Sequence, residues 1–153
     1  MEDAAMSRKG LWMTVALAAA LGACSSVPYA QRMAQRQAAY AAAAGAPVRS
    51  FHFFDLYSWE PLSDSQVAVY TQPGRAWLLD VGPCQNLEFT NAIGLTSFGG
   101  EVSVNFDKVL VGRGYPPCFI SKIRPLDVAK LKLEQQAQRK IDAEPRQPAA
   151  AGH

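Results

Sequence analysis

Residues 66–81, QVAVYTQPGRAWLLDV, decide how this chain of 153 residues is read. Val67, Val69 and Thr71 share one parity. After QPGR, Trp77, Leu79 and Val81 alternate in the same way and share a face of the next strand. Alternation at period 2 marks a strand with a buried face, and Pro-Gly between two such runs marks a turn. The stretch therefore reads as a β-hairpin, 66–71 against 76–81.

Strand signals continue on both sides. Upstream, VRSFHFF (48–54) puts Phe51 and Phe53 on one face and His52 on the other. Downstream, IGLTS, FGG and EVSVNF (93–106) suggest a second hairpin, with Gly99-Gly100 supplying positive φ. Val102, Val104 and Phe106 are in phase, whereas Val109 and Val111 have the opposite parity, so a bulge or turn belongs at Asp107-Lys108. CFISKI (118–123) is the last strand.

Two helices are expected. A short one covers Cys84–Ala92 after Gly82-Pro83. A longer one starts at Pro125, a residue suited to a first helical turn, with Asp127 placed to favour the helix dipole. Leu126, Ala129, Leu133, Ala137 and Ile141 recur at i+3/i+4 spacing, which predicts that this helix packs on the sheet. The globular domain spans 47–141, and the patternless segment 142–153 reads as a disordered tail.

The N-terminal side reads as an export segment. Arg8 and Lys9 precede an uncharged, mostly apolar run from Leu11 to Leu21. That run is shorter than the roughly 20 residues a membrane-spanning helix needs, and it fits a signal peptide over 1–23. Leu21-Gly22-Ala23-Cys24 resembles the bacterial lipobox, in which the cysteine thiol is acylated and becomes the first mature residue. The expected localisation is the cell envelope, on the periplasmic face of the outer membrane, because Ser25 and not Asp follows the cysteine. Residues 24–46 are rich in Ala, Gln and Arg. Ala and Gln favour helix, but only Tyr29, Met33 and Tyr40 break the small or polar surface, so the segment reads as a tether. Arg32 and Arg36 make it basic, which suits anionic headgroups as well as a solvated linker.

With Cys24 assigned to the anchor, Cys84 and Cys118 remain as an even pair. In an oxidising compartment their expected state is a disulfide. No Cys-x-x-Cys or zinc-ligand spacing accompanies them, so no metal or cofactor is expected. The whole is an α+β fold: a small, mostly antiparallel sheet with one disulfide and a C-terminal helix.

Charge and motif content narrow the function. Eight Lys/Arg balance eight Asp/Glu over 47–133, so the domain carries no electrostatic footprint for nucleic acid. His52 is the one histidine inside it, and with Asp55 or Asp64 it is the candidate base of a small envelope hydrolase. Asp55 and Glu60 flank Trp59, which also suggests a sugar platform; an ordinary loop with Trp59 on the core explains the same residues. Arg124 and Asp127 read as an ion pair at the strand-to-helix corner. The reading that fits best is a non-enzymatic binding or structural module held at the membrane by Cys24, with Phe51, Phe53 and Trp59 as its contact patch for a periplasmic partner.

The order of several short motifs resembles a family of small Gram-negative lipoproteins known as a domain of unknown function. They are Pro47-Val48 with Ser50-Phe51, Trp59 with Leu62 and Asp64, Leu78-Leu79, and Pro83-Cys84 with Leu87. IGLTS (93–97), FDKV (106–109), Cys118 with Ile120, and IRPLD (123–127) complete the set. The resemblance covers about 47–130 plus the lipobox. It implies a periplasmic, lipid-anchored domain with two cysteines, and it supplies neither substrate nor catalytic residues.

Overall fold

A computed structural model describes residues 28–143. The signal segment 1–23, Cys24 and residues 144–153 lie outside the described residues. The elements are α1 (Tyr29–Ala43), β1 (Ser50–His52), β2 (Ser58–Ser63), β3 (Gln66–Gln72), β4 (Arg75–Val81), β5 (Gly94–Leu95), β6 (Glu101–Ser103), β7 (Lys108–Leu110), β8 (Cys118–Leu126) and α2 (Val128–Ala143). None of these helices is long and apolar enough to cross a membrane.

The hairpin read from 66–81 is the centre of the structure. β3 and β4 pair antiparallel, Val67 opposite Leu79 and Val69 opposite Trp77. They sit inside a six-stranded sheet of order β2-β3-β4-β8-β7-β5, and β1 and β6 form a separate two-stranded ribbon. All of these pairings are antiparallel. Both faces of the central strands are covered. Val67, Val69, Leu79 and Ile120 pack with Phe51, Val102 and Val109 in one core. Ala68, Ala76 and Leu78 pack with Ala39, Tyr40, Ala43 and Leu131 of the two helices in the other. The fold class is therefore α+β, as the sequence predicts.

The tether expected over 24–46 is corrected from Tyr29 on: α1 is a working part of the domain. Its small residues are the reason. Ala39 and Ala43 meet Ala68 and Ala76, so the helix lies close to the sheet without large side chains, and Tyr40 fills the remaining space, fully buried. Polar ties add to this. The Gln37 amide donates to the Leu62 carbonyl at 2.6 Å, and the Gln138 amide donates to the Gln35 carbonyl at 3.0 Å. The chain then runs antiparallel along β8, with Gly45 N–H donating to the Pro125 carbonyl at 2.8 Å. A Cβ at Gly45 meets Pro125 Cγ at 3.1 Å, so only glycine fits this approach without a shift.

Other boundaries move for identifiable reasons. β8 keeps its register with β4 through Leu126 opposite Ala76, so Pro125 lies in a strand and not in a helix. The Asp127 carboxylate accepts from Lys130 N–H at 2.9 Å and caps α2. The expected apolar stripe faces outward: Val128 and Leu131 are buried, while Leu133 and Ile141 are 66% and 69% exposed. Helix α2 continues to Ala143, into the predicted tail. The helix expected over Cys84–Ala92 is a series of turns, since Asn86 adopts φ of 68° and breaks helical continuity.

The second hairpin also resolves differently. β5 pairs with β7, and β6 pairs with β1. Gly99 and Gly100 make the expected turn at φ of 62° and 77°, closed by a Phe98–Glu101 bridge. The parity slip before Lys108 is a turn through Asn105 at φ of 61°, which sends the chain from the ribbon to the large sheet.

Candidate functional site

The residues proposed for catalysis are not assembled. His52 is exposed on β1, opposite Glu101, and the Glu101 carboxylate accepts from the Ser50 hydroxyl. Asp55 accepts from the N–H of Leu56 at 2.8 Å within its own loop. Asp64, between β2 and β3, lines a hollow of about 140 Å³ with Pro83, Cys84, Leu87 and Phe89. Among the described residues no hydrogen bond or ion pair joins His52 to either aspartate. The sugar-platform arrangement fails on strand geometry, because adjacent strand residues point to opposite faces. Trp59 packs against the first core, whereas Glu60 turns toward the helices and meets Tyr40.

Of the predicted contact patch, Phe51 is unavailable to a partner. Phe51 is 3% exposed, stacks on Trp77 at 4.8 Å and meets Phe53 edge-on at 6.4 Å. Phe53 and Trp59 are partly buried against the same core. Within that stretch Phe54 and Tyr57 are exposed, and elsewhere Leu110 and Phe119 are among the exposed large apolar side chains. Lys108 pairs with Phe119 across β7 and β8, so Lys108, Leu110 and Phe119 share one outer face, where the Lys108 ammonium sits 4.6 Å from the Phe119 ring centroid.

The cysteines are joined as expected. Cys84 and Cys118 form a disulfide with Cα atoms 5.5 Å apart, tying the turn after β4 to the start of β8. Cys84 N–H also donates to the Asp64 carbonyl at 2.8 Å. Among the described residues, no group of three or more His, Cys, Asp or Glu side chains is arranged to hold a metal ion.

Three polar clusters organise the rest. In the first, buried Asp107 accepts from the Thr96 hydroxyl and from Ser103 N–H, both at 2.8 Å, while Thr96 accepts from Lys108 N–H at 2.9 Å. The threonine of IGLTS and the aspartate of FDKV thus meet to hold β5, β6 and β7 together. Replacing Asp107 with Asn removes one of the two acceptors, so the Thr96 hydroxyl loses the group its proton meets even when the amide oxygen keeps the Ser103 N–H. That substitution should cost about 2 kcal/mol in chemical unfolding.

In the second cluster, the Asp80 carboxylate accepts from the Gln66 amide at 2.7 Å and from Arg124 at 3.0 Å, with Lys122 at 3.5 Å. Arg124 thus reaches across the sheet to Asp80 and leaves Asp127 as the helix cap, replacing the ion pair expected between them.

The third cluster lies between the helices and the edge strand β2. Arg36 pairs with Glu60 at 3.2 Å, the Tyr40 hydroxyl donates to Glu60 at 2.5 Å, and the Tyr70 hydroxyl lies 3.0 Å from that of Tyr40. A phenol has one proton and a carboxylate only accepts, so Tyr70 donates to Tyr40. Burial, then the bond to Glu60, holds the Tyr40 hydroxyl well above the usual tyrosine range. Burial raises that of Tyr70 too. An unfolded tyrosine ionises near pH 10 and releases its proton before the folded ones do. The stability these groups contribute is complete below about pH 10 and is lost as pH rises beyond it. Urea midpoints between about pH 9 and 11 should fall less steeply in Tyr40→Phe than in the parent.

A family model, described as a family of unknown function (DUF6491), matches residues 7–142. The chain belongs to this family. Among the described residues the matched stretch contains α1, β1 to β8 and all of α2 but its last residue, wider than the 47–130 covered by the motif resemblance. No curated protein and no solved structure matches the chain. Several of the family-like motifs fall on structural positions: Leu62, Leu78, Leu79, Leu87 and Ile120 are fully buried, and Asp107 and Thr96 bond to each other. The roles of Tyr40 and Tyr70 are not legible in the sequence, where the available signal is Tyr40 between the alanines of 38–44.

Proposed function

We propose that this chain is a lipid-anchored envelope protein, acylated at Cys24 and facing the periplasm from the outer membrane, whose domain is a non-enzymatic binding or structural module. The observation that carries this reading is where the folded body begins. Only Ser25, Ser26, Val27 and Pro28 separate Cys24 from the first residue of α1, and five residue spacings reach at most about 18 Å. An acyl group there holds the domain against the membrane. The Cys84–Cys118 bond supports an oxidising compartment.

The binding half of the proposal rests on the outer face of β7 and β8. β2 and β7 lie toward opposite edges of the sheet, so Leu110 and Phe119 sit away from the helix side that contacts β2. A photo-crosslinking side chain at position 119, in cells, should give one discrete adduct that position 52 does not give. The same adduct from both positions, or none from 119, contradicts a partner surface on this face.

A further inference from the structure

The two helices are antiparallel, with Ala43 bonded to Asp127 at one end and Gln35 to Gln138 further along. Tyr29, at the start of α1, therefore lies on the same side as Ile141, at the end of α2. Tyr29 is 65% exposed and Ile141 69%. Between these ends runs a cleft of about 420 Å³ lined by Arg32, Arg36, Glu60, Gln138, Arg139 and Asp142, among others. Glu60 occupies Arg36. Arg32 and Arg139 make no ion pair among the described residues.

Charge is divided between the layers. The two helices hold six Lys/Arg and two Asp/Glu. The chain between them, residues 44–127, holds six Lys/Arg and eight Asp/Glu. The cationic layer also carries the outward stripe of Leu133, Ala137 and Ile141, which the core leaves uncovered. Lys130 and Lys140 flank this stripe, and Arg139 lies on the other side of α2, toward the cleft. Exposed apolar side chains among cations at one end of a helix pair suit the boundary between headgroups and acyl chains, and tyrosine favours that depth.

We propose that the free end of the helix pair docks on the anionic phospholipid surface of the membrane, with Arg32 and Arg139 on lipid phosphates and Tyr29 and Ile141 at the edge of the hydrocarbon. This rests on acylation of Cys24, which brings that end within about 18 Å of the bilayer. Acyl anchor and headgroup contacts together fix the orientation of the domain, and they turn β7 and β8 away from the docked edge.

The acylated full chain, extracted from membranes, is reconstituted into vesicles of phosphatidylcholine alone or mixed with phosphatidylglycerol. Phenylglyoxal modification of each arginine is then followed by mass spectrometry. Arg32 and Arg139 should react about fivefold more slowly in the anionic vesicles, with the protection lost at high salt. Arg113, exposed in the loop between β7 and β8, should react equally in both. Ile141→Asp, at a surface position, should restore much of the reactivity of Arg139.

Equal rates for Arg32 and Arg139 in the two vesicles overturn the proposal. Inorganic phosphate giving the same protection in phosphatidylcholine vesicles overturns it in favour of a small-anion site. Protection that follows protein density and not lipid charge overturns it in favour of contact between copies. The intact mass of the same sample reads Cys24 separately: an acylated chain with unprotected arginines refutes docking alone, and an unmodified Cys24 refutes the anchor.

Discussion

Truncating Tyr40 to alanine should lower the free energy of unfolding by about 4 kcal/mol. The side chain is fully buried, so its loss leaves a cavity between α1 and the sheet that the surrounding strands cannot close. It also removes the proton donor of Glu60 and the acceptor of Tyr70. The second effect is separable. Tyr40→Phe keeps the ring and loses only the hydroxyl, at about 1 kcal/mol. Surface substitutions in a solvated linker usually stay within about 0.5 kcal/mol, so denaturant unfolding of the two variants distinguishes a packed helix from a tether. A change below about 1 kcal/mol for Tyr40→Ala would show that α1 contributes little to the fold.

Breaking the Cys84–Cys118 bond should have a comparable effect. The sequence separation is 34, and loop-closure entropy for a loop of that length gives about 4 kcal/mol. Small domains have about 5–15 kcal/mol in all, so reduction removes a large part of the total. Both cysteines are buried, and Cys84 belongs to the core that contains Leu87 and Ile120. Replacing both by serine adds the cost of two buried hydroxyls, whereas alanine at both positions isolates the constraint on the unfolded chain. Unfolding midpoints of the parent with and without reductant, beside the double alanine variant, measure it. Overlapping curves for oxidised and reduced protein would remove the disulfide from the account of stability.

The parts of the fold legible in the sequence are those where one physical signal dominates. β3 and β4 alternate cleanly around Pro73-Gly74, and the register follows from that pattern. The cysteine pairing follows from parity of number once Cys24 has another role. Helix α1 was hidden because its packing depends on alanine meeting alanine, which looks the same in sequence as a helix with nothing to bury. In α2 the apolar spacing was real but the face was wrong: β8 holds Leu126 in its ladder, the helix begins later, and Leu131 takes the buried position.

β5 and β6 are only 2 and 3 residues long, too short for periodicity to name their partners. Tertiary hydrogen bonds to Asp107 decide the local arrangement instead. The site residues were the least legible. Phe51 and Trp59 signal aromatic surface in a sequence but end in or on the core, and the exposed pair Leu110 and Phe119 lies on strands whose neighbours were misassigned.

The intact mass of the protein extracted from membranes, before and after reduction and thiol alkylation, tests the proposed lipid-anchored envelope domain most directly. A chain that starts at Cys24, carries acyl chains, and takes up alkyl groups on Cys84 and Cys118 only after reduction is the predicted result. An unmodified Cys24, or free thiols at 84 and 118 before reduction, contradicts it.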